Sequence, residues 1–164
     1  MRIRFPLLAL AIATGPLRAA PPPVTPIAGA GQWVMVQELP FGSPPACAAR
    51  LEGAEINTTL VLNKDGKIIL FGGHPDWSMG TGDAQYNLVI DQDPARVMQA
   101  SLLNNIFLSP VFDDQLATRL ARARTLQWET SQARIRADVT GIGVALDAVR
   151  KCNADKNAAR ATQK

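Results

Sequence analysis

TTLVLNKDGKIILFGG, residues 58–73, decides the fold, because local sequence there nearly dictates the path of the backbone. Thr58, Leu60 and Leu62 alternate with Thr59, Val61 and Asn63, and Ile68 and Leu70 alternate with Ile69 and Phe71. That is the period of two that a pleated strand requires. Between the two runs, Lys64-Asp65-Gly66 is a three-residue hairpin loop, in which Gly66 takes the positive φ of a turn followed by a bulge without a Cβ clash. Both faces of the hairpin are apolar, which places it centrally in a sheet covered on both sides.

Working back from the hairpin, residues 47–51 read as a short strand, and residues 40–46, with Pro40, Gly42, Pro44 and Pro45, as a loop. Residues 32–39 (QWVMVQEL) are a strand with Trp33, Met35 and Leu39 on one face and Val34 and Val36 on the other. Working forward, residues 72–83 (GGHPDWSMGTGD) are a Gly-rich surface loop, 84–91 a strand and 96–100 its hairpin partner. A short strand at 104–109 is stopped by Pro110. Asp113 or Asp114 caps a helix over 115–123 with Leu116 and Leu120 facing inward. Residues 125–130 and 133–139 alternate as a second hairpin with Ser131-Gln132 at its turn, and Thr140 caps a last helix. Its stripe, Ile142, Ala145, Leu146 and Val149, recurs at i, i+3, i+4 and i+7. The expected class is mainly β (α+β), with one mid-chain helix and a C-terminal helix.

Arg2 and Arg4 before an apolar run, 5–12, that ends in Thr14-Gly15-Pro16 have the layout of a signal peptide over residues 1–20. The run is too short for a membrane span, which needs roughly 20 apolar residues. Residues 21–31 form a Pro-rich extended leader, 32–152 a single domain, and 153–164 a frayed tail with little to bury. Removal of the first 19 residues takes away three arginines, so 17 basic residues become 14 against 14 acidic and the net charge falls from +3 to 0. A neutral mature domain argues against nucleic acid as a partner.

Cys47 and Cys152 are the only cysteines, and an even count in an exported chain argues for one bridge. Two free buried thiols are the competing reading.

The order of a Trp33 strand, Cys47, a Lys-Asp-Gly hairpin, a helix, a Leu126/Trp128 strand and a closing GIGVALDAVRKC resembles the invasion-associated locus B family of exported bacterial proteins. The likeness is strongest over the last forty residues, with Gly141, Gly143, Ala145, Leu146 and Cys152. This chain departs from the family pattern in having no cysteine just after the tryptophan strand. The resemblance implies a periplasmic or secreted, antiparallel β-sandwich-like domain associated with host-cell invasion and stress. It carries over no catalytic residues.

His74, Asp76 and Ser78 invite a triad reading, but a triad draws its groups together from different elements rather than from alternate positions of one loop. His74, Asp76 and Trp77 instead form a candidate recognition loop carried by the rigid hairpin, the plainer reading being a loop histidine with Asp76 capping a turn and Trp77 folded onto the sheet. As metal ligands, His74 and Asp76 supply only two donors where a site needs three or four, and no cofactor is implied. Arg119, Arg122, Arg124, Arg134 and Arg136 face only Glu129 among the residues between them, which makes a basic side or an ordinary solvated face. The favoured function is a non-catalytic module that binds an unidentified protein or envelope component. An inhibitor or immunity-type protein inserting the 40–46 or 72–83 loop is the first rival, and a hydrolase the second.

Overall fold

The computed structural model describes residues 24–36, 47–63, 65–111, 113–131 and 133–161. The expected signal peptide and the 40–46 loop lie outside these residues. Along the chain come β1 (Thr25–Pro26), β2 (Trp33–Val36), β3 (Ala48–Leu51), β4 (Thr59–Leu62), β5 (Ile68–Gly73), β6 (Thr81–Ile90), β7 (Arg96–Leu103), β8 (Ile106–Val111), α1 (Asp114–Leu120), β9 (Thr125–Glu129), β10 (Arg134–Asp138) and α2 (Ile142–Ala161). The class is mainly β with two helices, as the alternation and the two apolar helix stripes require.

The hairpin forms as its sequence demands. Leu62 pairs with Ile68, Asn63 N–H donates to Lys67 O at 2.9 Å, and Gly66 sits at φ 76. β4 and β5 occupy the middle of one ten-stranded antiparallel sheet ordered β1-β2-β3-β4-β5-β8-β7-β6-β9-β10. Leu60, Ile68 and Leu70 point into the main core, while Val61 and Phe71 join Val34, Val36 and Ala48 in a smaller cluster on the opposite face.

The sheet is rolled so that its two ends meet. The Trp33 indole on β2 donates to Val139 O, just past β10, at 3.3 Å, and a β-carbon on Gly141 would lie 2.5 Å from the Ala30 carbonyl group. Inward side chains from both halves of the roll therefore share a single core. α2 lies on β2, β3 and β4 within that core, burying Ile142, Ala145, Leu146 and Val149. Cys152 on α2 is bonded to Cys47 beside β3, with the Cα atoms 5.8 Å apart.

Four expectations are corrected. β8 runs through Pro110 rather than stopping before it. Gln99 of β7 stands opposite Pro110 if the pairing of Ser101 with Leu108 is continued, and the donor that proline lacks is supplied by Ser109 Oγ, which donates to Gln99 O at 2.7 Å. The second correction is the tail, since α2 continues to Ala161. Ala154, Ala158 and Ala159 favour helix even where little is buried. The third is the long loop, which shrinks to residues 74–80 because β5 extends to Gly73 and β6 starts at Thr81. The fourth is the entry to α2, where Asp138 accepts from Thr140 N–H at 2.9 Å and Gly141 takes φ 90.

Candidate functional site

One end of the roll is closed by α1. Asp113 caps it by accepting from Gln115 N–H and Leu116 N–H, and Leu116 and Leu120 are buried in the core. The Leu116 amide, then the Arg96 guanidinium and the Gln115 amide, hold the Asp113 carboxyl below the usual carboxylate range.

The other end gathers the 74–80 segment, the start of β6, the β7–β8 turn and the β9–β10 turn. The 74–80 segment is bonded down rather than projecting: His74 N–H donates to Asn105 O at 3.2 Å and Met79 N–H to Asn104 O at 3.0 Å. Asn104 takes φ 56 in this tight turn, a conformation asparagine tolerates better than most residues.

The residues expected at a recognition loop are split by the structure. Asp76 is exposed and His74 partly so, whereas Trp77 is 8% exposed and stacks on Phe107 with ring centroids 6.0 Å apart. His74 Nδ1 accepts Asp76 N–H at 3.1 Å. A nitrogen accepting that bond carries no proton, so the 3.7 Å approach of Asp76 Oδ2 to the same atom is not an ion pair in this state. A catalytic triad needs the reverse, an Nδ1–H donating to the aspartate.

Phe107 also packs on Tyr86, at 4.7 Å between centroids, so the rings of His74, Trp77, Phe107 and Tyr86 form a continuous run from the surface inward. Gly72, opposite Phe107 on β5, leaves room for that ring: a β-carbon there would overlap it. At the inner end lies a cavity of about 120 Å³ lined by Met79, Ala84, Tyr86, Ala100, Leu102 and Phe107, with Thr130 and Ser131 at its rim. Tyr86 is buried and its hydroxyl makes no hydrogen bond of good geometry; the one side-chain hydroxyl acting on it is that of Ser109, which spends its own proton on Gln99 O and keeps its oxygen free to accept. Burial pushes the Tyr86 phenol well above its ordinary value, so the group can donate a hydrogen bond but cannot act as a base. Trp128 Nε1 on β9 is buried without a partner. Tyr86 was not singled out from sequence, although its position in an alternating strand that begins at a Gly-rich loop was a usable signal.

The five arginines do not share one purpose. Arg119 pairs with Asp93 at 2.8 Å and Arg134 with Glu129 at 3.0 Å, and Arg136 Nη2 donates to Thr125 Oγ1 at 3.3 Å. Arg122 and Arg124 are exposed. Among the described residues no group of three or more histidine, cysteine or acidic side chains could hold a metal ion. Among the same residues no helix is long and apolar enough to cross a membrane.

Fold and site together define a rolled antiparallel-sheet domain, bolted by an amphipathic C-terminal helix and holding a small cavity at its open end. The crystal structure of invasion associated protein B from Bartonella henselae is similar, with a TM-score of 0.52 over 76% of this chain and 95% of that chain at 14% identity. A likeness at that identity is one of fold, and at that level it agrees with the resemblance read from the residue pattern. No family model matches the sequence, and no curated protein matches it significantly.

Proposed function

We propose that the chain is an exported, non-catalytic interaction module that binds a protein or envelope component at the open end of the roll. The observation that carries this reading is the cavity at Tyr86, a preformed concave site of about 120 Å³ with room for a single side chain and the buried Tyr86 hydroxyl among its lining groups. The Cys47–Cys152 bond supports an oxidising compartment, periplasmic or secreted. The name of the Bartonella structure supports an outward-facing role. The inhibitor reading draws less support, because the 74–80 segment is hydrogen-bonded onto the β7–β8 turn instead of standing clear. The hydrolase reading draws less still, given the polarity of His74 Nδ1 and the raised phenol.

The test is affinity capture from envelope extract with the purified protein and with a His74→Ala/Asp76→Ala variant; Asp76 is exposed, His74 is mostly covered, and a thermal melt checks that the variant keeps its fold. A partner retained by the wild type and lost by the variant is the expected result. Identical capture by both proteins would remove the open end from the reading.

A further inference from the structure

An antiparallel strand aims the N–H and C=O of alternate residues at alternate neighbours. Asp91 N–H, one residue past β6, donates to Thr125 O at 2.9 Å, so the odd-numbered residues of β6 face β9. β9 gives out at Glu129, opposite Asn87, and the chain reverses there, with Thr130 N–H donating to Ala133 O at 2.8 Å. Asp83 and Gln85 therefore aim their main-chain N–H and C=O past the end of β9. Among the described residues no strand pairs with them on that side, while on the other side β6 is paired with β7 from Thr81 to Leu88.

A second observation lies at the same place. The Tyr86 cavity opens between this stretch of β6 and the β9–β10 turn on the inner face, and on the outer face a notch lined by Gln85, Val97 and Ser131 borders the same strand. Val97, the second residue of β7, is 63% exposed there although it is a large apolar side chain. An unpaired edge and a buried phenol thus meet along one short segment of β6, with the exposed Val97 one strand away on β7, opposite Asn87.

We infer that the free edge of β6 at Asp83 and Gln85 accepts an extended segment of a partner protein as an added strand, one of whose side chains enters the cavity at Tyr86. This rests on the interaction-module reading and names the mode of binding. The partner segment is uncharged and alternating. Its inward residue is small and carries an acceptor for the Tyr86 hydroxyl, as threonine does, and its outward residue stands beside the exposed Asp83 and Gln85. Two copies of this chain paired edge to edge about a two-fold axis would bring their Asp83 carboxylates together on one face, a like-charge arrangement that disfavours self-pairing.

The probe is a phage-displayed library of random linear peptides, panned on the purified protein, with the enriched peptides synthesised and titrated calorimetrically. Asp83→Pro removes an outward N–H and leaves the β7 ladder intact, because proline is tolerated on a strand edge whose N–H points away from the sheet. Ala84→Leu fills the cavity from β6 itself. Enriched peptides are expected to be alternating and uncharged, to bind each variant about tenfold or more weakly than the wild type, and to slow amide exchange at Asp83 and Gln85. Unfolding of one variant, seen in its thermal melt, leaves the other variant and the exchange data to decide. Equal affinity for wild type and variants, unchanged exchange, or no enrichment would overturn the proposal. So would a wild-type dimer that Asp83→Pro returns to monomer, which would make a second copy the occupant. Capture of envelope partners undiminished by Asp83→Pro would refute strand addition alone; peptide binding with no envelope partner captured would refute the module reading alone.

Discussion

Asp91 shows how much one side chain can hold. It sits at φ 53, in the left-handed region that aspartate tolerates, and its Oδ1 accepts from Arg124 N–H at 2.9 Å and Thr125 N–H at 2.8 Å, clamping the β6–β7 turn to the start of β9. Burial works to raise its pKa, but the Thr125 and Arg124 amides outweigh it and hold the carboxyl below 3.8. Asp91→Ala should destabilise by about 1 to 3 kcal/mol in urea melts, since it loses two acceptor contacts and leaves alanine strained, whereas Asp91→Asn should cost less. The pH dependence follows from the sign of the shift. A carboxyl depressed on folding contributes its stability in full above its unfolded pKa and loses it as pH falls through the lower folded value. Asp91, Asp113 and Asp138 all have this sign, so the melting temperature should drop as acid is added below about pH 4, and Asp91→Asn should flatten that slope. Sequence could place Asp91 at a strand end, but its hold on β9 joins residues distant in the chain and leaves no local trace. The sequence left Trp77 open between a ring presented by its loop and one folded onto the sheet; the structure shows the second, and the choice depends on Phe107, thirty residues on. Trp77→Ala should therefore lower stability by about 3 to 5 kcal/mol, and is no clean probe of binding.

Among the elements, α2 was the most legible, because a stripe at helical spacing can be satisfied only by packing. Leu146 is fully buried, and Leu146→Ala should cost about 2 to 5 kcal/mol; an unchanged melting temperature with the disulfide intact would sink the view of α2 as a lock. Gly143 is also required, though its neighbour is not the strand that its place at the helix start suggests. A β-carbon there would run into the carbonyl oxygen of Ala121 at the end of α1, so Gly143→Val should destabilise more than any exposed α2 substitution. β8 was the least legible strand. Proline is an accurate stop signal only when its missing N–H matters, and here Ser109 Oγ supplies the bond to Gln99 O. Ser109→Ala should leave that carbonyl without a donor and cost about 1 to 3 kcal/mol by denaturant titration.

At the scale of the whole molecule, alternation gave nine of the ten strands and their faces; β1 was missed, because the Pro-rich 21–31 segment was expected to stay an extended leader and instead pairs Thr25 and Pro26 with Met35 and Val34 of β2, and the order in which the strands pair was hidden. The crossing of the 74–80 segment from β5 to β6, which lets β8 return beside β5, depends on no local residue preference. The rolling of the sheet was equally hidden, since the contacts that close it join Trp33 to Val139 and Ala30 to Gly141. The Cys47–Cys152 bond spans a separation of 105 residues, and a Cys47→Ser/Cys152→Ser protein should lose at most roughly 4 to 5 kcal/mol against urea, the chain-entropy value for a loop of that size. Peptide mapping without reductant should recover the linked pair, and two alkylatable thiols in the native protein would contradict it.

The meeting of the two ends of the roll also sets an order of events in time. Trp33 cannot find its acceptor, nor Cys47 its partner, until Val139 and Cys152 have been synthesised, so a nascent chain holds an unclosed sheet edge and a solitary thiol until more than a hundred further residues have been added. Contacts this distant along the chain are slow to form, and a strand edge left waiting for them is open to pairing with other chains. The seam at Trp33 and Val139 thus closes late, with only α2 and the disulfide left to follow it, and the interval before it shuts is when aggregation, and protection by a chaperone, matter most to this protein.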